Sequence, residues 1–189
     1  MKLSSMIAAV VLAGTAATAQ AGILNFYTNL APDTGGTGSG SALVSFNDVT
    51  NVLSFTANFS GLSGLTTAAH FHCCTASPRT GTAGIAVDSP SLPIPTGVSS
   101  GSFGASLDLD ESANFNDDFL LASGGSTDVA IARLISAFYA GTAYLNIHTG
   151  GTFSAGEIRG FLQVPEPSSA LLAGLSLAAL GFTLRKRSA

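Results

Sequence analysis

Tryptophan is absent from the 189 residues, and no lysine lies between Lys2 and Lys186. The interior holds only three basic side chains, Arg79, Arg133 and Arg159. Set against ten carboxylates between Gly22 and Val164, they leave that segment with a net charge near −7. A surface of that sign repels phosphate backbones and anionic headgroups, which excludes nucleic acid as a partner and makes weak attraction of cations the expectation. Cysteine is nearly absent too. The two that occur, Cys73 and Cys74, are neighbours and cannot tie distant parts of the chain together. In an oxidising compartment they can form a vicinal disulfide, bridge two molecules or ligate a soft metal. The first is favoured, because an exposed free pair oxidises. No internal repeat is present. The glycine-rich stretch at Gly35, Gly36 and Gly38 lacks the lysine and following helix of a phosphate loop, so it reads as a turn.

Long hydrophobic runs are confined to the two ends. Residues 2–21 begin with Lys2, continue through an apolar stretch from Ile7 to Leu12 and finish on Ala19-Gln20-Ala21. That order of charge, apolar core and A-x-A belongs to a secretory signal peptide, with cleavage expected before Gly22. The far end runs Val164-Pro165-Glu166-Pro167, a Ser168-Ser169 spacer, apolar residues from Ala170 to Leu184, and then Arg185-Lys186-Arg187. The apolar run is shorter than the ~20 residues of a full membrane span, although snorkelling basic residues let it lodge in the inner membrane with its charges on the cytoplasmic side. This tail resembles the PEP-CTERM sorting signal in the Pro165-Glu166-Pro167 motif, the apolar segment and the basic cluster. The resemblance implies export and an exosortase-type sorting enzyme that removes the tail, leaving the protein at the cell surface or in an extracellular polysaccharide matrix. A permanent single-span transmembrane anchor is the alternative. The expected organisation is therefore a signal peptide at 1–21, a domain at 22–164 and a sorting tail at 165–189.

Between the ends, small polar and β-branched residues with twelve Phe favour strands and turns. Strands are expected at 23–30, 41–46, 52–59, 67–72, 84–87, 102–109, 142–149 and 157–164. In the third of these, Leu53, Phe55, Ala57 and Phe59 share one face and Val52, Ser54, Thr56 and Asn58 the other, the alternation of a half-buried strand. Residues 75–100 carry Pro78, Pro90, Pro93 and Pro95, which predicts a long irregular connection. The period changes once. Ile131, Leu134, Ile135 and Phe138 fall at helical spacing after Ser126-Thr127 and before Gly141, predicting a single amphipathic helix over 127–139. The expected fold is all-β, a Greek-key antiparallel β-sandwich or flattened barrel with that helix packed on it.

Four short stretches carry a second resemblance: Phe59-Ser60-Gly61-Leu62, Ala68-Ala69-His70-Phe71-His72, Tyr144-Leu145-Asn146-Ile147-His148-Thr149 and Gly156-Glu157-Ile158-Arg159-Gly160-Phe161-Leu162. In this order, and over nearly all of residues 23–163, they resemble the CHRD domain. That resemblance implies an all-β secreted domain and supplies no catalytic residues. A partial likeness to Cu,Zn superoxide dismutase rests on the His-x-His strand alone, and three histidines are too few for a bridged copper and zinc pair.

In an extended strand His70 and His72 point to one side, and parity places His148 with Tyr144 and Asn146, away from Leu145 and Ile147. If the two strands are neighbours, the three imidazoles can bind zinc or copper with a fourth position open. Otherwise they form a hydrogen-bonded network with Asn146, Glu157 or the backbone. Glu157 and Arg159 share a strand face and are expected in an internal salt bridge or cross-strand pair. Asp108, Asp110, Asp117 and Asp118 lack EF-hand spacing and read as a solvated acidic loop. No nucleophile and base recur at recognisable spacing, so the expected function is non-enzymatic: binding or structure at the envelope, with extracellular polysaccharide or surface proteins as partners. The alternative is a secreted metal-binding protein using His70, His72 and His148, with a possible redox link through Cys73 and Cys74.

Overall fold

The computed structural model describes residues 22–33, 35–87 and 92–165. Among these residues eight strands form: β1 (Ile23–Pro32), β2 (Ser39–Asn47), β3 (Val52–Ser60), β4 (Thr66–His72), β5 (Ile85–Val87), β6 (Gly101–Asp108), β7 (Tyr144–Thr149) and β8 (Ile158–Phe161). They lie in one antiparallel sheet of order β5-β4-β7-β8-β1-β2-β3-β6, curled into a half-barrel. Of the two expected forms, the flattened barrel is the closer description, since the halves share β1. Its residues 23–30 pair with β2, while Ala31 and Pro32 pair with β8.

Alternation decides which face each strand buries. Leu53, Phe55, Ala57 and Phe59 of β3 are buried, and their partners Val44, Phe46 and Ala42 on β2 join them. The same parity buries Ala69 and Phe71 on β4 and Leu145 and Ile147 on β7, so the concave side is a continuous apolar core.

That core is capped by helix α2 (Thr127–Ala140), one residue longer than the spacing predicts. Ser126 caps its start, with Oγ accepting from the Val129 amide at 3.5 Å, and Gly141 ends it in the left-handed region at φ 66°. Ala130, Ile131, Leu134, Ala137 and Phe138 form the buried stripe. Phe138 carries the contact to the sheet, with ring centroids 5.2 Å from Phe26 on β1 and 6.0 Å from Phe71 on β4.

A second helix, α1 (Asp117–Ala122), was not expected. It has only six residues and buries a single side chain, Phe119, so it leaves no periodic stripe in the sequence. Its start is nevertheless built from turn chemistry: Asn116 Oδ1 accepts from the Asp118 amide at 3.1 Å, and Asp117 and Asp118 sit in the first turn. The other carboxylates of the acidic stretch are engaged locally. Asp108 accepts from the Asp110 amide at 3.0 Å, and Asp110 accepts from the Asn51 side chain at 2.8 Å.

Candidate functional site

On the opposite face of the sheet the pattern is polar and aromatic. β4 and β7 are adjacent and antiparallel, with His70 opposite Asn146, His72 opposite Tyr144 and Ala68 opposite His148. Since Phe71 and Leu145 turn inward, His70, His72, Tyr144, Asn146 and His148 all turn outward. The register thus brings together the three histidines that sequence parity placed on two separate strands. Ring centroids are 5.0 Å apart for His70 and His148, 5.7 Å for His72 and His148, and 6.0 Å for His70 and His72. One nitrogen from each ring lies within 4.8 Å of the other two.

Two loops cover this face and fix the rings. Between β4 and β5, the Ala83 carbonyl accepts from His72 Nδ1 at 3.0 Å. Between β7 and β8, the Ser154 carbonyl accepts from His148 Nδ1 at 2.9 Å. A carbonyl can only accept, so in each neutral ring the proton sits on Nδ1 and the lone pair on Nε2. His72 Nε2 is buried and has no hydrogen-bond partner among the described residues. Among the described residues His148 Nε2 meets the long 3.4 Å approach of Asn146 Nδ2, which also donates to the Ala155 carbonyl at 3.1 Å. Gly156 presses on Asn146 from the same loop. It has φ 127°, and a side chain there would run into the Asn146 amide.

Beneath His72 the Tyr144 ring is stacked at 4.9 Å with planes 4° apart, and its hydroxyl meets the Ala83 backbone. The Arg159 guanidinium lies 5.0 Å from the same ring, donates to the Gly81 carbonyl at 2.9 Å and pairs with Asp33 at 2.7 Å. Burial pushes the His72 pKa below its ordinary 6.5, and the charges of His148 and Arg159 push the same way, against the hydrogen bond to Ala83. His72 is therefore neutral at pH 7, with a lone pair on offer.

Glu157 takes no part in this cluster. It was expected on a strand face with Arg159, but β8 starts at Ile158 and Glu157 turns inside, fully buried. Its carboxylate accepts from the amides of Ser63 and Gly64 and from the Thr149 hydroxyl, the last two at 3.0 and 2.7 Å. Burial alone would raise its pKa. The Ser63 amide, the Thr149 hydroxyl and the Gly64 amide outweigh that and hold it below the usual carboxylate range. Arg159 pairs instead with Asp33, the residue just after β1, because β8 pairs with the end of β1 there.

Cys73 and Cys74 follow His72 directly and their sulfurs are bonded to one another, so neither is a thiolate ligand in this state. Pro165 is exposed at the end of the described chain. Glu166, Pro167, the apolar run at 170–184, the basic cluster and residues 1–21 lie outside the described residues. Among the described residues no helix is long and apolar enough to cross a membrane. Sequence reasoning missed Ala83 and Ser154, whose contributions are backbone carbonyls and leave no trace in residue type. The contacts of Tyr144 had a partial signal in its parity with Asn146 and His148.

Family comparisons agree with the two resemblances. The model of the CHRD domain matches residues 25–162, and that of the PEP-CTERM protein-sorting motif matches residues 163–187. Among curated proteins and among solved structures nothing matches the chain. The sorting motif marks the protein for export to the cell envelope or surface and for processing by an exosortase-type enzyme. With the greater part of its length matched in one domain, the chain belongs to the CHRD family and carries a PEP-CTERM sorting motif behind that domain.

Proposed function

We propose that this protein is a non-catalytic binding domain held at the cell surface or in the surrounding polysaccharide matrix, with the histidine face of β4 and β7 as its contact site. The observation that carries the reading is the outward convergence of three imidazoles on a sheet whose other face packs the apolar core. The buried carboxylate supports it, since Glu157 is already occupied by three donors within the fold. Processing then separates the domain from its tail. Intact-mass measurement on envelope and medium fractions should give a protein that starts at Gly22 and ends between Pro165 and Ser168 when the sorting enzyme is present. A mass running to Ala189 in every fraction favours the permanent anchor. Retention of the processed protein at the surface tests the contact site: His148→Ala should be exported and trimmed normally but shed into the medium. Retention equal to the wild type would overturn the histidine face as the contact.

A further inference from the structure

We infer that the histidine face is a coordination site for one divalent transition ion, zinc or copper, held by His70, His72 and His148. This rests on reading that face as the contact site, and it names what the face takes. Tetrahedral bonds of ~2.05 Å to imidazole place ligand nitrogens about 3.4 Å apart. The three nitrogens here lie within 4.8 Å of one another, so small rotations of the rings close them onto an ion. Convergence alone would also suit a hydrogen-bonded network, and a second observation decides between the two. In a network His72 Nε2 would have a donor facing it, yet this buried nitrogen has none among the described residues.

The supports around the rings are those of ligands. Metal-bound histidines characteristically donate their other ring N–H to a backbone carbonyl or carboxylate, which fixes the tautomer and turns the lone pair toward the ion. His72 does so to Ala83 and His148 to Ser154. The donor set selects the ion. With three imidazoles, no carboxylate in the group and the two thiols joined to each other, calcium and magnesium are disfavoured and zinc and copper preferred. Three protein ligands leave a fourth position, and the half-exposed His70 and His148 place it toward solvent. Asn146 stands beside that position, with its buried Oδ1 unpartnered among the described residues and able to accept from an ion-bound water.

The test is a calorimetric titration of the exported protein, stripped with a chelator and then given zinc or copper(II) at pH 7.5. One equivalent of either ion should bind. His148→Ala should weaken binding at least about tenfold, and His72→Gln, which keeps the volume near Tyr144, should do the same. Acidification to pH 5 should release the ion as protons compete for the rings. Folding of each variant is checked by circular dichroism, and His148→Ala, at the more exposed ring, keeps the test open if His72→Gln unfolds. No binding at millimolar ion by a folded wild type overturns the inference. So does binding that both substitutions leave unchanged, because the site would then lie elsewhere. Two mixed outcomes separate this inference from the reading beneath it. If no ion binds but His148→Ala is still shed from the surface, the ion falls and the contact site stands. If the ion binds and the variant is still retained, the ion stands and the contact site falls.

Discussion

Glu157→Ala should cost about 4 kcal/mol of folding stability, a large share of the ~5–15 kcal/mol of a typical domain. The substitution strands three donors in the interior, the amides of Ser63 and Gly64 and the Thr149 hydroxyl, and each buried unmet donor costs about 1–3 kcal/mol. It also removes the side-chain tie between the turn after β3 and the end of β7, leaving there the backbone bond from the Gly150 amide to the Leu65 carbonyl. The same group gives the fold an acid sensitivity of definite sign. Its pKa in the folded state lies below the ordinary 4.5, so its contribution is complete above 4.5 and is lost as pH falls through the folded value. His72 adds an earlier step of the same direction. Its folded pKa is below 6.5, so stability is full above 6.5 and declines as pH falls below it, because unfolding lets the ring take up a proton. Urea unfolding of the wild type between pH 8 and pH 3 should show both declines, and Glu157→Ala should lack the lower one. A variant within 1 kcal/mol of wild type, or one with an unchanged slope below pH 4.5, would contradict the role given to Glu157.

Phe138→Ala should cost about 3–5 kcal/mol, the range for removing a fully buried aromatic from a close-packed core. Phe138 is the point at which α2 reaches both halves of the sheet, through edge contacts with Phe26 on β1 and a tilted contact with Phe71 on β4. Removing the ring opens a cavity beneath the helix and takes the support from behind Phe71, the residue between His70 and His72. The effect is therefore expected in two readouts. Urea unfolding should report the stability loss, and histidine NMR resonances should shift for His70 and His72 more than for His148. An unfolding midpoint equal to that of wild type would mean that α2 packs on the sheet through some other side chain.

The parts of this fold that the sequence displays are those in which local pattern and tertiary burial agree. β3 alternates without a break, and each residue expected inward is buried. α2 shows its stripe, its serine cap and its terminal glycine in the bare sequence. α1 is hidden because six residues with one buried phenylalanine make no periodicity. Glu157 is hidden for a different reason. Its partners Ser63 and Gly64 lie more than ninety residues away, and nothing in the residue types at either place marks the pairing. The candidate site is intermediate. Parity put His70 with His72 and His148 with Asn146, but the convergence of the two sets depends on β4 lying beside β7 in a register that opposes His70 to Asn146. The carbonyls that orient the rings come from two irregular loops, where any residue would supply the same group. Chemistry carried by side chains on strands could be read in advance, whereas chemistry carried by backbone in loops could not.

The most direct measurement of the central claim is X-ray absorption at the zinc edge of the exported protein carrying one equivalent of zinc. The predicted spectrum has a first shell of nitrogen and oxygen at about 2.0–2.1 Å, with the outer-shell scattering of three imidazoles and no sulfur. A shell containing sulfur at about 2.3 Å, or one with fewer than two imidazoles, would place the ion on Cys73 and Cys74 or on surface carboxylates and contradict the histidine face as the working site of this domain.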